Sequence, residues 1–186
     1  MRKLKLQVQM TMDGFISGIN GEMDWMSLNW SEDINDYVRE ITLPVDLILL
    51  GRVLAEGFIP HWTASFNSSE PEEGSEIFVT TPKVVFTNTM KESIWENTVL
   101  AKNKLEDEIN DLKNQAGGDI IAYGGSKFVS SLIKHNLIDE YHLFINPAAI
   151  GSGLPIFHNI EKTQSFTLKS SKHFDCGIIV LCYVPK

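Results

Sequence analysis

The sequence predicts a single α/β domain whose sheet is mostly parallel and ends in an antiparallel hairpin. Its 186 residues fit one domain. Strand-like and helix-like segments alternate along most of the chain, as in parallel sheets. The run over residues 45–50 is apolar at nearly every position, which is typical of a strand buried on both faces. The tail supplies the antiparallel end, because segments 165–172 and 177–184 form a predicted hairpin.

The N-terminal elements are the most clearly patterned. Residues 3–10 alternate strictly between polar and apolar side chains, which predicts a strand with one buried face. Glycines punctuate the following segment, 14–25, which we expect to be a flexible loop. Ser31 is then a candidate helix cap. Apolar residues at helical spacing continue from there, at Ile34, Tyr37, Val38 and Ile41.

The remaining elements follow from similar signals. We expect a short helix over 53–58 and a long polar surface loop over 63–74. The later elements are a strand at 83–87, a short strand at 95–100, a helix from a cap at 103 towards 117, a strand at 120–123, a helix around 128–133 and a strand at 141–145.

The charge balance narrows the class of partner. Lys and Arg number 16 against 24 Asp and Glu, giving a net charge of -8. Binding to nucleic acid or to an anionic membrane needs a positive surface, so neither is expected as the main activity. No stretch approaches the roughly 20 apolar residues of a membrane span, and the N-terminus has no signal-peptide core. We therefore expect a soluble, cytoplasmic protein.

Several common catalytic sites lack their sequence signatures. Phe128 occupies the last glycine position of a nucleophile elbow at 124–128, and there is no phosphate-binding P-loop pattern. The glycines at 151–153 do not follow a strand-to-helix turn, so they do not make a Rossmann fingerprint. The five histidines show no metal-ligand spacing, and no metal is expected. Cys176 and Cys182 favour free thiols over a bridge or zinc site.

Two strand-to-helix junctions carry the functional signal. One leads from the strand at 45–50 into Gly51-Arg52, and the other from 120–123 into Gly124-Gly125-Ser126-Lys127. A helix N-terminus offers unpaired N–H donors to an anion, and glycine lets the backbone approach it closely. Two such junctions in one sheet can hold a dinucleotide pyrophosphate, although the glycines can equally serve only to turn the chain.

A series of motifs then resembles a known superfamily. The motifs are, in order, Met12-Asp13-Gly14-Phe15-Ile16, Leu47-Ile48-Leu49-Leu50-Gly51-Arg52, Lys83-Val84-Val85-Phe86-Thr87, Tyr123-Gly124-Gly125-Ser126, Leu137-Ile138-Asp139-Glu140-Tyr141-His142-Leu143 and Pro147-Ala148-Ala149-Ile150-Gly151-Ser152-Gly153-Leu154-Pro155-Ile156-Phe157. Together they resemble the dihydrofolate-reductase-like superfamily. The chain is most similar there to the C-terminal reductase domain of the bifunctional deaminase-reductase of riboflavin biosynthesis and to its stand-alone bacterial relatives.

The resemblance implies a three-layer α/β/α fold that binds NADPH and commonly forms a homodimer. Gln9 and Ile16 would flank the nicotinamide under a mobile loop over 14–25. The remaining implied cofactor contacts are Gly51, Arg52 and Val53 at the phosphates and 2′-phosphate, Thr87 and Asn88 at the adenine ribose, and Gly124, Gly125, Ser126 and Lys127 at the pyrophosphate. Arg52 also suits a 2′-phosphate on chemical grounds, because its planar guanidinium binds phosphate oxygens bidentately.

The chain departs from the family pattern at the cofactor and substrate positions. Thr87-Asn88 stands where relatives often have Ser-Arg, which leaves the preference for NADPH over NADH open. Tyr123 replaces a usually acidic residue that contacts substrate, and Val53 replaces a usual threonine. The implied substrate is a small heterocycle, resembling either 5-amino-6-(5-phosphoribosylamino)uracil or a dihydrofolate-like pterin.

The proton donor of such a reduction is the least defined residue. Asp33 on the first helix is the candidate, because related reductases carry a carboxylate there; charge at the helix N-terminus is its other reading. Trp25 can stack on a flat heterocycle or simply pack in the loop. The alternative to a reductase is a nucleotide-binding module that kept the cofactor pocket without turnover.

Overall fold

The structure is a computed structural model that describes residues 1–27 and 29–186. These residues form eight strands and five helices. In chain order the elements are β1 (Leu4–Thr11), α1 (Glu32–Thr42), β2 (Val45–Gly51), α2 (Arg52–Phe66), α3 (Ser75–Thr80), β3 (Lys83–Phe86), β4 (Thr98–Leu100), α4 (Leu105–Asn114), β5 (Asp119–Ala122), α5 (Ser126–Lys134), β6 (Glu140–Asn146), β7 (Phe166–His173) and β8 (Ile179–Pro185).

All eight strands belong to one sheet, in the order β4-β3-β2-β5-β1-β6-β8-β7. The first six strands in this order, from β4 to β6, pair in parallel. β8 then pairs antiparallel with both β6 and β7. The predicted α/β fold with a mostly parallel sheet and a C-terminal antiparallel hairpin is therefore confirmed.

The helices cover both faces of the sheet and make three layers. Apolar side chains of α4 and α5 pack on one face, in the largest core cluster. The other face carries two separate clusters, one beneath α1 and one beneath α2. This division follows from right-handed crossovers: the connections that run from β1 towards β3 place their helices on one face, and those that run back through β5 to β6 place theirs on the other.

β1 lies at the centre of the sheet, and its alternating sequence gives it two different faces. Its leucines, Val8 and Met10 are buried in the cluster beneath α4 and α5. Lys5, Gln7 and Gln9 point to the opposite face, where Lys5 Nζ donates to the Ile41 carbonyl of α1. That face of β1 belongs to neither apolar cluster, so a polar strip separates the α1 cluster from the α2 cluster.

α2 is longer than the sequence suggested. The short helix expected over 53–58 continues to Phe66, into the first part of the loop expected over 63–74. α3 follows directly after that loop, where no element was predicted. Phe78 of α3 packs against Phe58 and Trp62 of α2, with ring centroids 5.2 and 4.4 Å apart, so tertiary contacts extend the helix. Pro60 lies inside α2 at an exposed position. No helix of the described residues is long and apolar enough to cross a membrane.

Candidate functional site

The two strand-to-helix junctions lie side by side. β2 and β5 pair in parallel up to Leu49 and Ala122, so their carboxyl ends meet at one edge of the sheet. A Cβ added at Gly124 would lie 3.6 Å from Leu54, in the first turn of α2. A Cβ added at Gly51 would lie only 2.8 Å from the Cβ of Phe128 in α5. The start of each helix therefore packs on the glycines of the other junction.

The same two helices begin without acidic residues. α1, α3 and α4 each carry Asp or Glu in the first turn, whereas the first turns of α2 and α5 contain none. The N-cap residues of α2 and α5 are Gly51 and Gly125, which have no side chain to cap the helix. The positive ends of these two helix dipoles are thus uncompensated and adjacent, which is the arrangement that binds a phosphate.

Glycine is required by the backbone at the second junction. Gly124 has φ +140° and Gly125 has φ +40°, values that other residues rarely adopt. Ser126 begins α5, and its hydroxyl donates to the Pro155 carbonyl at 2.6 Å. Because this hydroxyl holds the loop after β6, an anion at α5 would be bound by backbone N–H groups and by the exposed Lys127.

Arg52 is the cation at the first junction, and its side chain already forms an ion pair. Its Nη1 lies 2.6 Å from Glu56 Oε1, one turn further along α2. The Arg52 side chain is about one-third exposed, so its guanidinium can reach an incoming phosphate if it exchanges Glu56 for that partner. The neighbouring Val53 is 72% exposed, which leaves the outer side of this junction open.

The end of β3 approaches the same edge. Phe86, the last residue of β3, stacks on Phe128 of α5 with centroids 4.8 Å apart. Thr87 and Asn88 follow directly, and the Thr87 hydroxyl accepts hydrogen bonds from the N–H groups of Thr89 and Met90 at 3.1 and 3.2 Å. Asn88 is exposed. The structure thus places both expected ribose residues beside the paired junctions.

The loop after β1 returns close to the polar strip at Ser27, which is linked to Gln9 through Asn146, and we call its segment 18–27 the lid. Ser17 forms a β-bridge to Leu154, and the Ile16 N–H donates to the Leu154 carbonyl at 3.0 Å, so the lid begins at a fixed point. Its far end is held by Asn146, whose Oδ1 accepts from the Ser27 N–H at 3.1 Å. Asn146 also contacts Gln9 on β1. Ile16, Gln9 and the lid therefore form one connected unit.

Trp25 lies in this lid. It lines a cleft of about 360 Å³ between the lid and the loop after β6, together with Asp24, Ile150 and Ser152. Its indole Nε1 is buried and has no hydrogen-bond partner among the described residues. A buried N–H without a partner is costly, so this donor is available to a ligand or a water.

Asp33 and Tyr123 sit in settings that differ from those expected. Asp33 accepts from the Ser31 hydroxyl and, at 3.2 Å, from the Asp175 N–H in the β7–β8 turn. The Ser31 hydroxyl, helped by backbone N–H groups, lowers the pKa of Asp33, so this carboxylate favours the ionised form over a proton donor. Tyr123 stacks on Phe58 at 5.6 Å within the cluster beneath α2, and burial raises its pKa.

A buried polar network beneath α1 was not foreseen from the sequence. His142 Nδ1 bonds to the Tyr37 hydroxyl, and its Nε2 bonds to Glu140, each at 2.8 Å. The potential ligand atoms of Glu140, His142 and Cys182, the last on the neighbouring strand, all lie within 4.8 Å of one another. Burial lowers the pKa of His142. Sequence spacing could not reveal this group, because Tyr37 and Cys182 are brought to His142 by the fold.

Comparisons with known proteins identify the family and the fold. A model of the RibD C-terminal domain family matches residues 2–180. The uncharacterized protein YyaP of Bacillus subtilis is 29% identical over 98% of this chain and 94% of its own. A Shewanella sp. PV-4 structure, named provisionally as a riboflavin biosynthesis protein, is 25% identical with a TM-score of 0.74, covering 100% of this chain and 99% of its own.

A further solved structure relates the fold to a bifunctional enzyme. It is the diaminohydroxyphosphoribosylaminopyrimidine deaminase/5-amino-6-(5-phosphoribosylamino)uracil reductase of Thermotoga maritima, at 18% identity and a TM-score of 0.72. The alignment covers 100% of this chain and 57% of the Thermotoga chain. At this identity the likeness concerns the fold alone.

Proposed function

The chain belongs to the RibD C-terminal domain family, and from this membership and the paired junctions we propose that it is a reductase that transfers a hydride from NADPH to a small heterocycle. The carrying observation is the pair of acid-free helix starts, α2 and α5, which pack on each other's glycines at one edge of the sheet. One pyrophosphate can accept hydrogen bonds from the N–H groups of both helices. A site of this kind suits a dinucleotide better than a mononucleotide.

Different residues of the site would bind different parts of NADPH. Gly51, Gly124 and Gly125 admit the phosphates to the backbone, and Lys127 adds charge. Arg52 would bind the 2′-phosphate of NADPH in place of Glu56. Thr87 and Asn88 would contact the adenine ribose. The nicotinamide would then extend towards β1, under the lid, where Gln9, Ile16 and Trp25 lie.

The substrate would share the polar strip of β1 with the nicotinamide ring. NADPH supplies the hydride, and this chain's residues would orient the two rings and exclude water beneath the lid. The substrates that this family suggests are heterocycles resembling 5-amino-6-(5-phosphoribosylamino)uracil or a dihydropterin. Trp25 offers a flat surface for stacking and an unpaired indole N–H.

The test is cofactor binding followed by turnover. Titration with NADPH should quench the fluorescence of the 4 tryptophans, because the lid carries Trp25. Oxidation of NADPH should then be measured at 340 nm with a panel of aminouracils and pterins. The absence of binding at millimolar NADPH would overturn the proposed function.

A second candidate rests on the state of Asp33. Because the pKa of this carboxyl is lowered, the expected proton donor would be ionised at neutral pH. A nucleotide-binding module without turnover fits this observation. It predicts quenching by NADPH but no substrate-dependent oxidation across the same panel, whereas measurable turnover would reject it.

We also propose that the protein is a homodimer. Tyr141, Leu143 and Tyr183 of β6 and β8, with Phe157 and Phe166, line an apolar cleft of about 130 Å³ at the antiparallel end of the sheet. A second copy could cover this surface. Sedimentation should show twice the 20.9 kDa mass of the chain, and a species of 20.9 kDa alone would contradict a dimer.

A further inference from the structure

The side-chain amide of Asn146 is locked between two backbone groups. Asn146 ends β6 and is completely buried. Its Oδ1 accepts from the Ser27 N–H at 3.1 Å, and its Nδ2 donates to the Phe144 carbonyl at 3.2 Å. A backbone N–H can only donate and a carbonyl can only accept. The Asn146 amide therefore has a single orientation.

That orientation determines how Gln9 is presented. Asn146 Nδ2 also donates to Gln9 Oε1, at 2.8 Å. Because Gln9 must turn its oxygen towards Asn146, its Nε2 faces the other way. In residues 1–27 and 29–186 the Gln9 side chain bonds only through its Oε1, to Asn146, and Gln9 is only half-buried. The polar strip of β1 thus carries an oriented donor that has no partner among the described residues.

We propose that Asn146 is a positioning residue that sets Gln9 as a hydrogen-bond donor, so that the site takes a ligand with a carbonyl oxygen at this point. The inference rests on the proposed function for the identity of the ligand. The carbonyl can be that of the nicotinamide carboxamide or a ring carbonyl of the heterocycle. In both cases Gln9 would recognise a hydrogen-bond acceptor. An amino group in this position would meet a second donor and bind about tenfold more weakly.

The same residue connects the ligand to the lid. Asn146 holds the lid at Ser27, while the bridge between Ser17 and Leu154 holds its other end. A ligand that binds Gln9 therefore stabilises the arrangement that also fixes the end of the lid. Disturbing Asn146 should weaken ligand binding more than it slows any bound ligand's reaction, so KM should rise more than kcat falls.

The decisive variant is Asn146→Asp, measured at pH 8 so that the new carboxylate is ionised. A carboxylate still accepts from Ser27 but can donate neither to Gln9 nor to the Phe144 carbonyl. Gln9 should therefore turn its Nε2 inward and present its oxygen to the ligand. Asn110→Asp, an exposed position on α4, is the matched control for charge. Gln9→Glu is a second variant that places an acceptor at the same point and leaves Asn146 untouched.

Two binding measurements identify the source of the carbonyl. If it is the cofactor carboxamide, the Kd for NADPH should rise about tenfold in Asn146→Asp and Gln9→Glu and stay unchanged in Asn110→Asp. If it is the ring carbonyl, the Kd for 5,6-diaminouracil should rise instead. Unchanged affinity for both ligands in both variants would overturn the proposal.

A ligand-free measurement separates this proposal from the proposed function. By ¹⁵N NMR, the side-chain amide protons of Gln9 should exchange with water quickly in the wild type and about tenfold more slowly in Asn146→Asp, where the introduced carboxylate accepts from them. Equal exchange rates would overturn the positioning role even if NADPH binds. Slower exchange without any NADPH binding would support the positioning role and reject the reductase.

Discussion

Arg52 carries the most specific prediction at the scale of single residues. In the structure it pairs with Glu56 of the same helix, a contact that the spacing i, i+4 makes possible. An exposed pair of this kind contributes roughly 0.3–0.5 kcal/mol, whereas a charged hydrogen bond to phosphate contributes about 1.5–3 kcal/mol. The 2′-phosphate of NADPH should therefore displace Glu56.

Arg52→Gln should raise the Kd for NADPH by roughly 10- to 100-fold and leave the Kd for NADH within about twofold. Glu56→Gln should have the opposite and smaller effect, tightening NADPH about twofold because Arg52 loses its competing partner. Fluorescence titration with both cofactors measures these changes. Arg39→Gln on α1, which removes an exposed cation paired with Asp36 and Glu73, is the control. Equal losses for NADPH and NADH would contradict a 2′-phosphate contact.

Some residues of the candidate site could be identified from the sequence, and others could not. Arg52 could be identified because it follows a buried strand directly, so its place in the fold is set locally. Asn146 could not, since its partners Ser27 and Gln9 are 119 and 137 residues away. The hydrogen bonds that lower the pKa of Asp33 include one from the distant β7–β8 turn, and a helical wheel contains no such information.

At the scale of elements, the site depends on how closely α5 packs on the end of β2. Gly51 has ordinary extended dihedrals, so its role is spatial: any Cβ would meet the Cβ of Phe128 at 2.8 Å. Phe128 in turn stacks on Phe86, which restricts its movement. The glycine therefore sets the separation of the two helix starts.

Gly51→Ala should lower the free energy of unfolding by about 1–3 kcal/mol, the usual effect of overpacking, and should weaken NADPH binding at the same time. Gly57→Ala in α2 is the matched control. Its Cβ would enter open space, so the substitution should stabilise the helix by roughly 0.5–1 kcal/mol. Urea unfolding of both variants checks the difference. An unaltered stability in Gly51→Ala would show that α5 is not packed in this way.

Elements whose signal is local were predicted well, and those that depend on packing were not. β1 alternates strictly, and α5 follows a glycine pair, so both were predicted near their observed bounds. α3 and the second half of α2 were missed, because Phe58, Trp62 and Phe78 stabilise each other only after the chain has folded. Strand order likewise depends on pairing between distant segments.

At the scale of the whole molecule, the net charge of -8 does not oppose an anionic cofactor. Acidic residues occupy the first turns of α1, α3 and α4, while α2 and α5 start without them. The chain therefore keeps a local positive potential at one edge of the sheet within an acidic molecule. A local field of this kind is what determines where an anion binds.

The buried network around His142 should make stability depend on pH. Burial lowers the pKa of His142 in the folded state, while the unfolded chain titrates near 6.5. As pH falls below about 6.5, the unfolded state takes up the proton first, so folding stability is lost. Between pH 7 and 5.5 this should cost up to about 1 kcal/mol.

His142→Gln removes this contribution, so the stability difference between wild type and variant should shrink as the pH is lowered. His173→Gln, at an exposed position on β7, is the control for the loss of a histidine side chain. Urea unfolding at pH 5.5, 6.5 and 7.5 provides the comparison. A difference for His142→Gln that does not vary with pH would mean that this histidine titrates normally in the folded protein.

The most direct test of the central claim is hydrogen–deuterium exchange with and without NADPH. The two junctions are proposed to hold one pyrophosphate, so the cofactor should slow exchange at residues 52–54 of α2 and 126–128 of α5 together, with the same dependence on NADPH concentration. Peptides from the start of α4, whose first turn is acidic, should not change. Protection at both helix starts is the result we predict. Protection at only one of them, or at neither, would contradict a shared dinucleotide site.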